Sequence, residues 1–174
     1  MSLDRPLTRN VRPDRSPTDF AAYEANGGYQ GLRSAIGKLS PDQCLQILKD
    51  SNLRGRGGAG FPTGMKWSFV PMEEEGAKSS GHKYLICNAD EMEPGTFKDR
   101  LLLECDPHQL IEGMILSAYT IQADIAYIFI RAEYLKAAQL LREAIATCRD
   151  KGYLGSNILG SDYSLEMYVH CLLY

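Results

Sequence analysis

A glycine-rich segment followed by a lysine is the part of this sequence best suited to hold a phosphate group. Residues 55–67 read GRGGAGFPTGMKW, with glycine at five of the first ten positions. Glycine lets the backbone adopt positive φ and lets a ligand approach the amide groups closely. Pro62 suits the first turn of a helix, and a loop entering a helix N-terminus presents free N–H groups to an anion. With Lys66 as a mobile cation, the segment predicts a phosphate cradle.

Two alternative interpretations of the glycines can be weighed from the flanking sequence. Gly55, Gly57 and Gly60 match the G-x-G-x-x-G pattern of dinucleotide-binding folds, which normally follows a β-strand. Residues 40–53 are predicted to be helical, so the ordinary Rossmann arrangement is disfavoured while the phosphate cradle remains. A phosphotransferase P-loop is excluded, because the loop lacks the Gly-Lys-Ser/Thr ending. Residues 55–60 alone would fit an ordinary surface loop, but Pro62, Lys66 and Trp67, which follow them, favour a phosphate cradle.

A second segment places polar side chains directly after a predicted strand. Residues 84–100 read YLICNADEMEPGTFKDR: a short apolar strand, an acidic loop and a Pro-Gly turn. Open α/β sheets bind ligands beyond the carboxyl ends of their strands. Asn88 offers a donor and an acceptor, and the carboxylates of Asp90, Glu91 and Glu93 offer acceptors. An acidic surface turn before a helix cap would not explain so many polar groups at the end of a buried strand.

Together, these two segments resemble the NADH-binding flavoprotein subunit of respiratory complex I, the bacterial NADH:quinone oxidoreductase. The likeness continues through PHQLIEGMILSAY at 107–119, YIFIRAEY at 127–134 and GYLGSNILGSDYSLEMYVH at 152–170. It extends from about Arg5 to His170. The same segments are also similar to the diaphorase subunits of NAD-linked hydrogenases and formate dehydrogenases.

The resemblance implies FMN and NAD(H) as cofactors, with a hydride passing from NADH to the flavin and electrons then passing to iron–sulfur clusters and quinone. It implies that Glu93 faces the nicotinamide and acts as the catalytic residue, and that Phe61 and Phe69 pack near the adenine. The residues that it assigns to cofactor binding are Gly55, Arg56, Gly57, Gly58, Ala59, Gly60, Phe61, Gly64, Lys66, Phe69, Asn88, Asp90, Glu91 and Glu93.

The sequence departs from this family after His170. The family continues into a second flavin loop, a ubiquitin-like domain and a domain whose four cysteines hold a [4Fe–4S] cluster, and the present sequence ends at Tyr174. We therefore expect a truncated flavin domain without cluster ligands. The five cysteines lie at least 18 residues apart, which is no metal-binding pattern. An inactive remnant and a weak flavin-binding module without an electron outlet stay open as alternatives.

Composition narrows the possible partners. A net charge of −3 gives no basic excess for nucleic acid, and no stretch approaches the ~20 apolar residues of a membrane span. The N-terminus lacks the apolar core of a secretory signal, and scattered cysteines suit a reducing cytosol. The resemblance implies a cytoplasmic location on the inner membrane, within the peripheral arm of complex I. The implied partners are NADH and the other peripheral-arm subunits, above all the small [2Fe–2S] subunit.

The elements predicted from periodicity form an α/β, Rossmann-like layered domain with a mostly parallel sheet, flanking helices and a sheet incomplete at the C-terminus. Residues 1–39 are predicted to be an N-terminal extension with a short helix broken at Gly27-Gly28, and residues 40–174 the FMN/NADH-binding domain. Ser40-Pro41-Asp42-Gln43 has the form of a capping box. Residues 125–130 are six consecutive apolar residues, which predicts a strand covered on both faces.

Overall fold

The structure is a computed structural model that describes residues 5–56, 58–73 and 81–172. Helices and strands in that part of the chain have these bounds: α1 Phe20–Ala25, α2 Gln30–Ala35, α3 Pro41–Asp50, α4 Thr63–Trp67, β1 Tyr84–Ala89, α5 Lys98–Cys105, α6 Pro107–Thr120, β2 Ile125–Arg131, α7 Leu135–Asp150 and β3 Glu166–Leu172. A single 3-10 turn, Ile158–Gly160, lies between α7 and β3.

The three strands form one parallel sheet in the order β1-β2-β3. Cys87 of β1 is paired with Ile128 of β2, which is paired with Val169 of β3. Parallel neighbours need crossover connections, and right-handed crossovers that step in one direction put their helices on the same face of the sheet. The predicted α/β class, with a parallel sheet and flanking helices, is confirmed.

Helix α6 is the centre of the core. Its Ile111 and Ile115 are fully buried, as is Ile128 of β2. Leu141 of α7 is also fully buried and belongs to the same hydrophobic cluster. The core therefore lies between the helical layer and one face of the sheet, and it holds the carboxyl ends of β1 and β2 in a fixed relation.

The opposite face of the sheet is aromatic and open to solvent. Tyr127 stacks on Tyr168, with ring centroids 5.6 Å apart, and Phe129 stacks on His170 at 5.7 Å. Ile86 of β1 is 61% exposed. The prediction that residues 125–130 are covered on both faces was therefore wrong for the described part of the chain. These residues alternate between full and partial burial, because the helices that contact β2 lie on one side.

The chain before α3 packs against α6. The predicted break at Gly27-Gly28 separates α1 from α2, and a β-carbon on Gly28 would lie 2.2 Å from the ring of Tyr23. Tyr29 and Leu32 are fully buried in the same cluster as α6. The domain boundary at residues 39 and 40 stays a prediction.

Local helix signals placed α3 correctly. The Ser40 hydroxyl accepts from Gln43 N–H at 3.2 Å, and the Gln43 side chain accepts from Ser40 N–H at 2.8 Å. These two bonds form the predicted capping box, with Pro41 at the first helical position. The helix therefore begins where the sequence indicates, and it ends at Asp50, before the predicted end at residue 53.

Candidate functional site

The glycine loop is a short hairpin closed by its own backbone. Gly55 N–H donates to Phe61 O at 2.9 Å, and Thr63 N–H donates to Leu53 O at 2.8 Å. Gly58 and Gly60 have φ of +106° and +61°, and no atom lies within 4 Å of the place where either β-carbon would be. The tip is therefore an open backbone surface that only glycine adopts without strain.

Three further residues of this loop were predicted to bind the flavin: Arg56, Gly57 and Ala59. Arg56 and Ala59 lie on the exposed part of the hairpin. Gly57 lies outside the described residues, so its assignment to the flavin stays a prediction.

Helix α4 follows the loop and presents Lys66. Pro62 is the N-cap of α4 and the helix begins at Thr63, one residue later than the sequence predicts. Gly64 is buried, whereas Lys66 is exposed. A β-carbon on Gly64 would lie 2.8 Å from the Lys49 backbone nitrogen, so α4 is seated directly on α3. Helix α4, which carries Lys66, is thus closely packed against α3, and the Lys66 side chain is exposed to solvent.

Phe61 and Phe69 are brought together at the two ends of α4. Their ring centroids are 6.4 Å apart with a 49° tilt. Phe61 is 46% exposed and Phe69 is 68% exposed. Core packing therefore does not explain these side chains, and they form an apolar surface beside the glycine loop.

The acidic loop begins with a turn at the end of β1. The Asn88 side-chain oxygen accepts from Asp90 N–H at 3.0 Å, so its NH2 group is the donor that it can offer a ligand. Glu93 O accepts from Thr96 N–H at 3.1 Å, which closes the Pro-Gly turn. Asn88 and Glu93 are exposed and Asp90 is half-buried. The loop thus presents one amide and carboxylates at the carboxyl edge of the sheet.

Glu91 points inward, unlike its neighbours in the acidic loop. Its carboxylate accepts from the backbone N–H groups of Asp99 at 3.0 Å and Arg100 at 3.1 Å, at the start of α5. Burial opposes its ionisation, but these two bonds, together with the charge of Lys98, outweigh it and lower the pKa of Glu91. Glu91 is therefore an ionised side chain that ties the acidic loop to α5.

Two residues beyond the predicted site also contact the acidic loop. Arg131, at the end of β2, donates to Glu91 O at 3.2 Å and forms a salt bridge with Glu133 at 3.0 Å. The Tyr134 hydroxyl donates to Glu91 Oε2 at 3.3 Å. The sequence carried no signal for Tyr134, which lies 43 residues from Glu91.

The two loops belong to different parts of the helical layer. The described hydrogen bonds of the glycine loop stay within residues 53–66, whereas Glu91 is bonded to α5 and to Tyr134, just before α7. A cavity of about 450 Å³ lies beside β1 and is lined by Asn88. A second cavity of about 520 Å³ lies between α3 and α6 and is lined by Trp67 of α4. Gly113 and Ser117 of α6 line both cavities, so α6 is the element that the two sides share.

Within residues 5–56, 58–73 and 81–172, no group of three or more potential ligands is close enough to hold a metal ion. All five cysteines are free; Cys105 and Cys148 are buried, and the other three are half-buried. No helix in those ranges is both long and apolar enough to cross a bilayer.

A family model covers most of this chain. Residues 48–172 match the model described as the Nuo51 FMN-binding domain. The matched range includes the whole glycine loop, helix α4 and the acidic loop. Both candidate ligand-binding segments therefore lie inside one recognised domain.

The similar curated proteins are subunits of NADH-quinone oxidoreductases. The chain is 56% identical to such a subunit of Rhizobium meliloti over 152 residues, covering 87% of this chain and 35% of that protein. It is 50% identical to the corresponding subunit of Escherichia coli over 165 residues, covering 95% and 36%. The counterpart in Aquifex aeolicus is 53% identical over 168 residues, covering 97% and 37%. The chain thus spans about a third of the length of these relatives.

Solved structures with the same fold include an NAD⁺-reducing [NiFe]-hydrogenase. In its air-oxidized state, one chain is 36% identical with a TM-score of 0.62, covering 95% of this chain and 24% of that chain. In the H2-reduced state, the identity is 35% and the TM-score 0.60, with 98% and 26% covered.

Proposed function

The chain belongs to the Nuo51 FMN-binding domain family, and on that premise we propose that it is the flavin-binding part of an NADH dehydrogenase subunit. The observation that carries the proposal is that the family match spans both the glycine loop and the acidic loop. In this role the chain binds FMN and NADH, and it supports hydride transfer from NADH to the flavin.

The residues present fit an FMN phosphate. The open backbone at Gly58 and Gly60 would not tolerate a side chain without strain, which suits close approach of a ligand. Lys66 is exposed and supplies a positive charge beside that loop. We assign Gly55, Arg56 and the rest of the glycine loop to this phosphate end of the site.

The acidic loop suits the ring end of a flavin and the nicotinamide. Flavin rings carry both donors and acceptors, which the Asn88 amide and the Asp90 carboxylate complement. Bound FMN supplies the redox chemistry, because it accepts a hydride and returns single electrons. We propose that Glu93, which is exposed, orients the nicotinamide amide and is the catalytic residue of the site. The exposed pair Phe61 and Phe69 offers flat surfaces for the adenine.

The wider assignment follows from the names of the relatives. We propose that the chain acts with the other peripheral-arm subunits of complex I, in particular the small [2Fe–2S] subunit, to pass electrons toward quinone. Its place would be on the cytoplasmic side of the inner membrane, attached through the complex.

A diaphorase subunit of an NAD⁺-reducing hydrogenase is the second candidate. It is favoured by the similarity to the hydrogenase chains, which are 35–36% identical to this chain. The NADH-quinone oxidoreductase subunits of R. meliloti and E. coli are 50–56% identical to it over comparable lengths. The higher identity makes the complex I assignment the preferred one.

The test is a titration of the 174-residue chain with FMN. Flavin fluorescence would be followed first, and NADH would then be added without oxygen while the flavin absorbance is recorded. We expect saturable quenching followed by bleaching of the flavin band. Quenching without bleaching would assign a binding module rather than an enzyme. A folded far-UV spectrum without quenching would overturn the proposal in favour of an inactive remnant.

A matched variant makes this test specific. Gly58→Val adds a branched side chain at a φ of +106° and should abolish quenching. Gly152→Val makes the same substitution at another exposed glycine of positive φ, +72°, with open space around it just after α7, and it should leave quenching unchanged. Equal quenching by the chain with Gly58→Val and by the unaltered chain would remove the glycine loop from the site.

A further inference from the structure

Glu91 joins three separate segments of the chain. Its own segment is the acidic loop after β1. Its carboxylate accepts from the amides of Asp99 and Arg100 at the start of α5 and from the hydroxyl of Tyr134 before α7. Its backbone oxygen accepts from Arg131 at the end of β2. The side chain of Glu91 is 2% exposed, so these bonds are shielded from water.

Tyr134 is held between two guanidinium groups. The Cζ of Arg100 lies 5.6 Å from the centroid of its ring, and the Cζ of Arg131 lies 5.9 Å from it. Both distances are within the range of cation–π attraction. Arg131 is also fixed by its pair of bonds to Glu133, at 3.0 and 3.3 Å. The ring of Tyr134 is therefore attracted by cations from α5 and β2, and its hydroxyl donates to Glu91.

We propose that Tyr134 and Arg131 are positioning residues for the flavin site: through Glu91 they hold the acidic loop against the N-terminus of α5. This keeps Asn88 and Asp90 in place at the carboxyl edge of the sheet. The inference rests on the proposed function for its ligand, and it assigns the two residues no contact with the flavin.

The physical reason is that the acidic loop connects β1 to α5 with little packing of its own. Most of this loop is a run of exposed side chains, from Met92 to Phe97. Such a loop opens locally unless buried bonds restrain it. Glu91 is the buried side chain of this loop, and bonds to an ionised group are stronger than those between neutral groups. Loss of the Tyr134 bond should therefore loosen the loop without unfolding the core.

The experiment is Tyr134→Phe in the 174-residue chain, which removes one oxygen atom and keeps the ring. Amide hydrogen exchange at Asp99 and Arg100, measured by NMR, reports the Glu91 bonds without any ligand. FMN titration reports the site. We expect faster exchange at these two amides. FMN binding should weaken by about five- to tenfold, because the variant loses a hydrogen bond to a charged group. The melting temperature should change little.

The matched control is Tyr163→Phe. The Tyr163 hydroxyl donates to Ala123 O at 2.6 Å, before β2 at the amino end of the sheet. This control also loses one tyrosine hydroxyl bond, here to a backbone carbonyl, so it should lower stability while leaving FMN affinity and the Asp99 amide unchanged. A purely structural role for Tyr134 would give the same pattern as this control.

Each outcome decides the inference. Unchanged exchange at Asp99 and Arg100 in Tyr134→Phe would overturn the restraint, and faster exchange with unchanged FMN affinity would overturn its role in positioning. If the unaltered chain binds no FMN, the proposed function fails and the positioning role fails with it. Exchange in the absence of ligand would still show whether Glu91 depends on Tyr134, so the two failures are distinguishable.

Discussion

Gly64 of α4 lies against the backbone of Lys49 on α3. A β-carbon at Gly64 would come within 2.7 Å of Lys49 Cγ, 2.8 Å of its nitrogen and 2.9 Å of its Cα. Contacts below 3.0 Å are not sustained by real β-carbons, and two of these atoms belong to the backbone and cannot swing away. The close packing of α4, which carries Lys66, against α3 therefore requires a glycine at position 64.

Gly64→Ala should displace α4 from α3. We expect the free energy of unfolding to fall by about 1–3 kcal/mol, as for other overpacked sites. The helical preference of alanine offsets only about 0.5–1 kcal/mol of this. FMN binding should also weaken, because Lys66 and the glycine loop move with α4. Urea unfolding and FMN titration measure the two effects.

Gly113→Ala is the control for that substitution. It lies within α6, and no atom is within 4 Å of its would-be β-carbon. The free energy of unfolding should be unchanged or raised by about 0.5–1 kcal/mol. A similar loss of stability in both variants would mean that the contact with Lys49 is not the cause.

Lys66→Gln tests whether Lys66 contacts the phosphate of FMN or its ring. If Lys66 pairs with the phosphate, the substitution should weaken FMN binding about tenfold and leave riboflavin binding unchanged, because riboflavin has no phosphate. The FMN affinity of the unaltered chain should also fall with added salt more steeply than that of the variant. Lys38→Gln, at another exposed lysine, is the control. Equal losses for FMN and riboflavin would contradict a phosphate contact.

The parts of the fold that the sequence predicted depend on short-range signals. Ser40 and Gln43 are three residues apart, and their reciprocal bonds place the start of α3. The apolar run from Ile125 to Ile130 predicted a strand, which β2 confirms. The polar residues from Asn88 onward, after an apolar run, marked the end of β1 to within two residues, since the strand includes Asn88 and ends at Ala89. Each of these signals is contained in fewer than ten residues.

The parts that the sequence did not predict depend on distant pairings. In the sequence, Glu91 is one of several acidic residues in the same loop. Its burial follows from contacts with α5 and with Tyr134, 43 residues away. The exposed face of the sheet was missed for a similar reason. Tyr127 and Phe129 read as core residues, but which face the helices cover is set by the direction of the crossovers and not by composition.

Ser40→Ala tests how much the capping box contributes. The substitution removes the acceptor for Gln43 N–H, and it keeps the backbone N–H of residue 40 that donates to the Gln43 side chain. Loss of such a cap should lower the free energy of unfolding by about 1 kcal/mol. Ser34→Ala removes a hydroxyl that bonds within α2 to Gln30 O, and it should change stability far less. Equal effects in urea unfolding would contradict a specific role for the cap.

His108 should make stability depend on pH. It is 3% exposed among Phe20, Tyr23 and Tyr29, and its Nδ1 lies 2.8 Å from the Tyr29 hydroxyl. Burial lowers the pKa of His108 to about 4 from 6.5, and the carboxylate of Asp19 opposes this only in part. The unfolded chain therefore binds more protons than the folded chain between those two values.

The sign follows from that difference in bound protons. Stability from a neutral buried histidine is fully present above about pH 6.5 and is lost as the pH falls toward 4. The loss from this group should approach ~3 kcal/mol at the acid end, since each tenfold change in proton affinity is worth about 1.4 kcal/mol. Urea unfolding across this pH range measures it.

His108→Asn isolates this contribution, because asparagine keeps a polar group near the position of Nδ1 and does not titrate. The variant should be less stable at neutral pH, but its stability should fall less steeply below pH 6.5. Glu91 and Glu104 have lowered pKa values and also lose stabilising bonds in acid, but they are present in both proteins and cancel in the comparison. Parallel pH profiles would show that folding does not lower the pKa of His108.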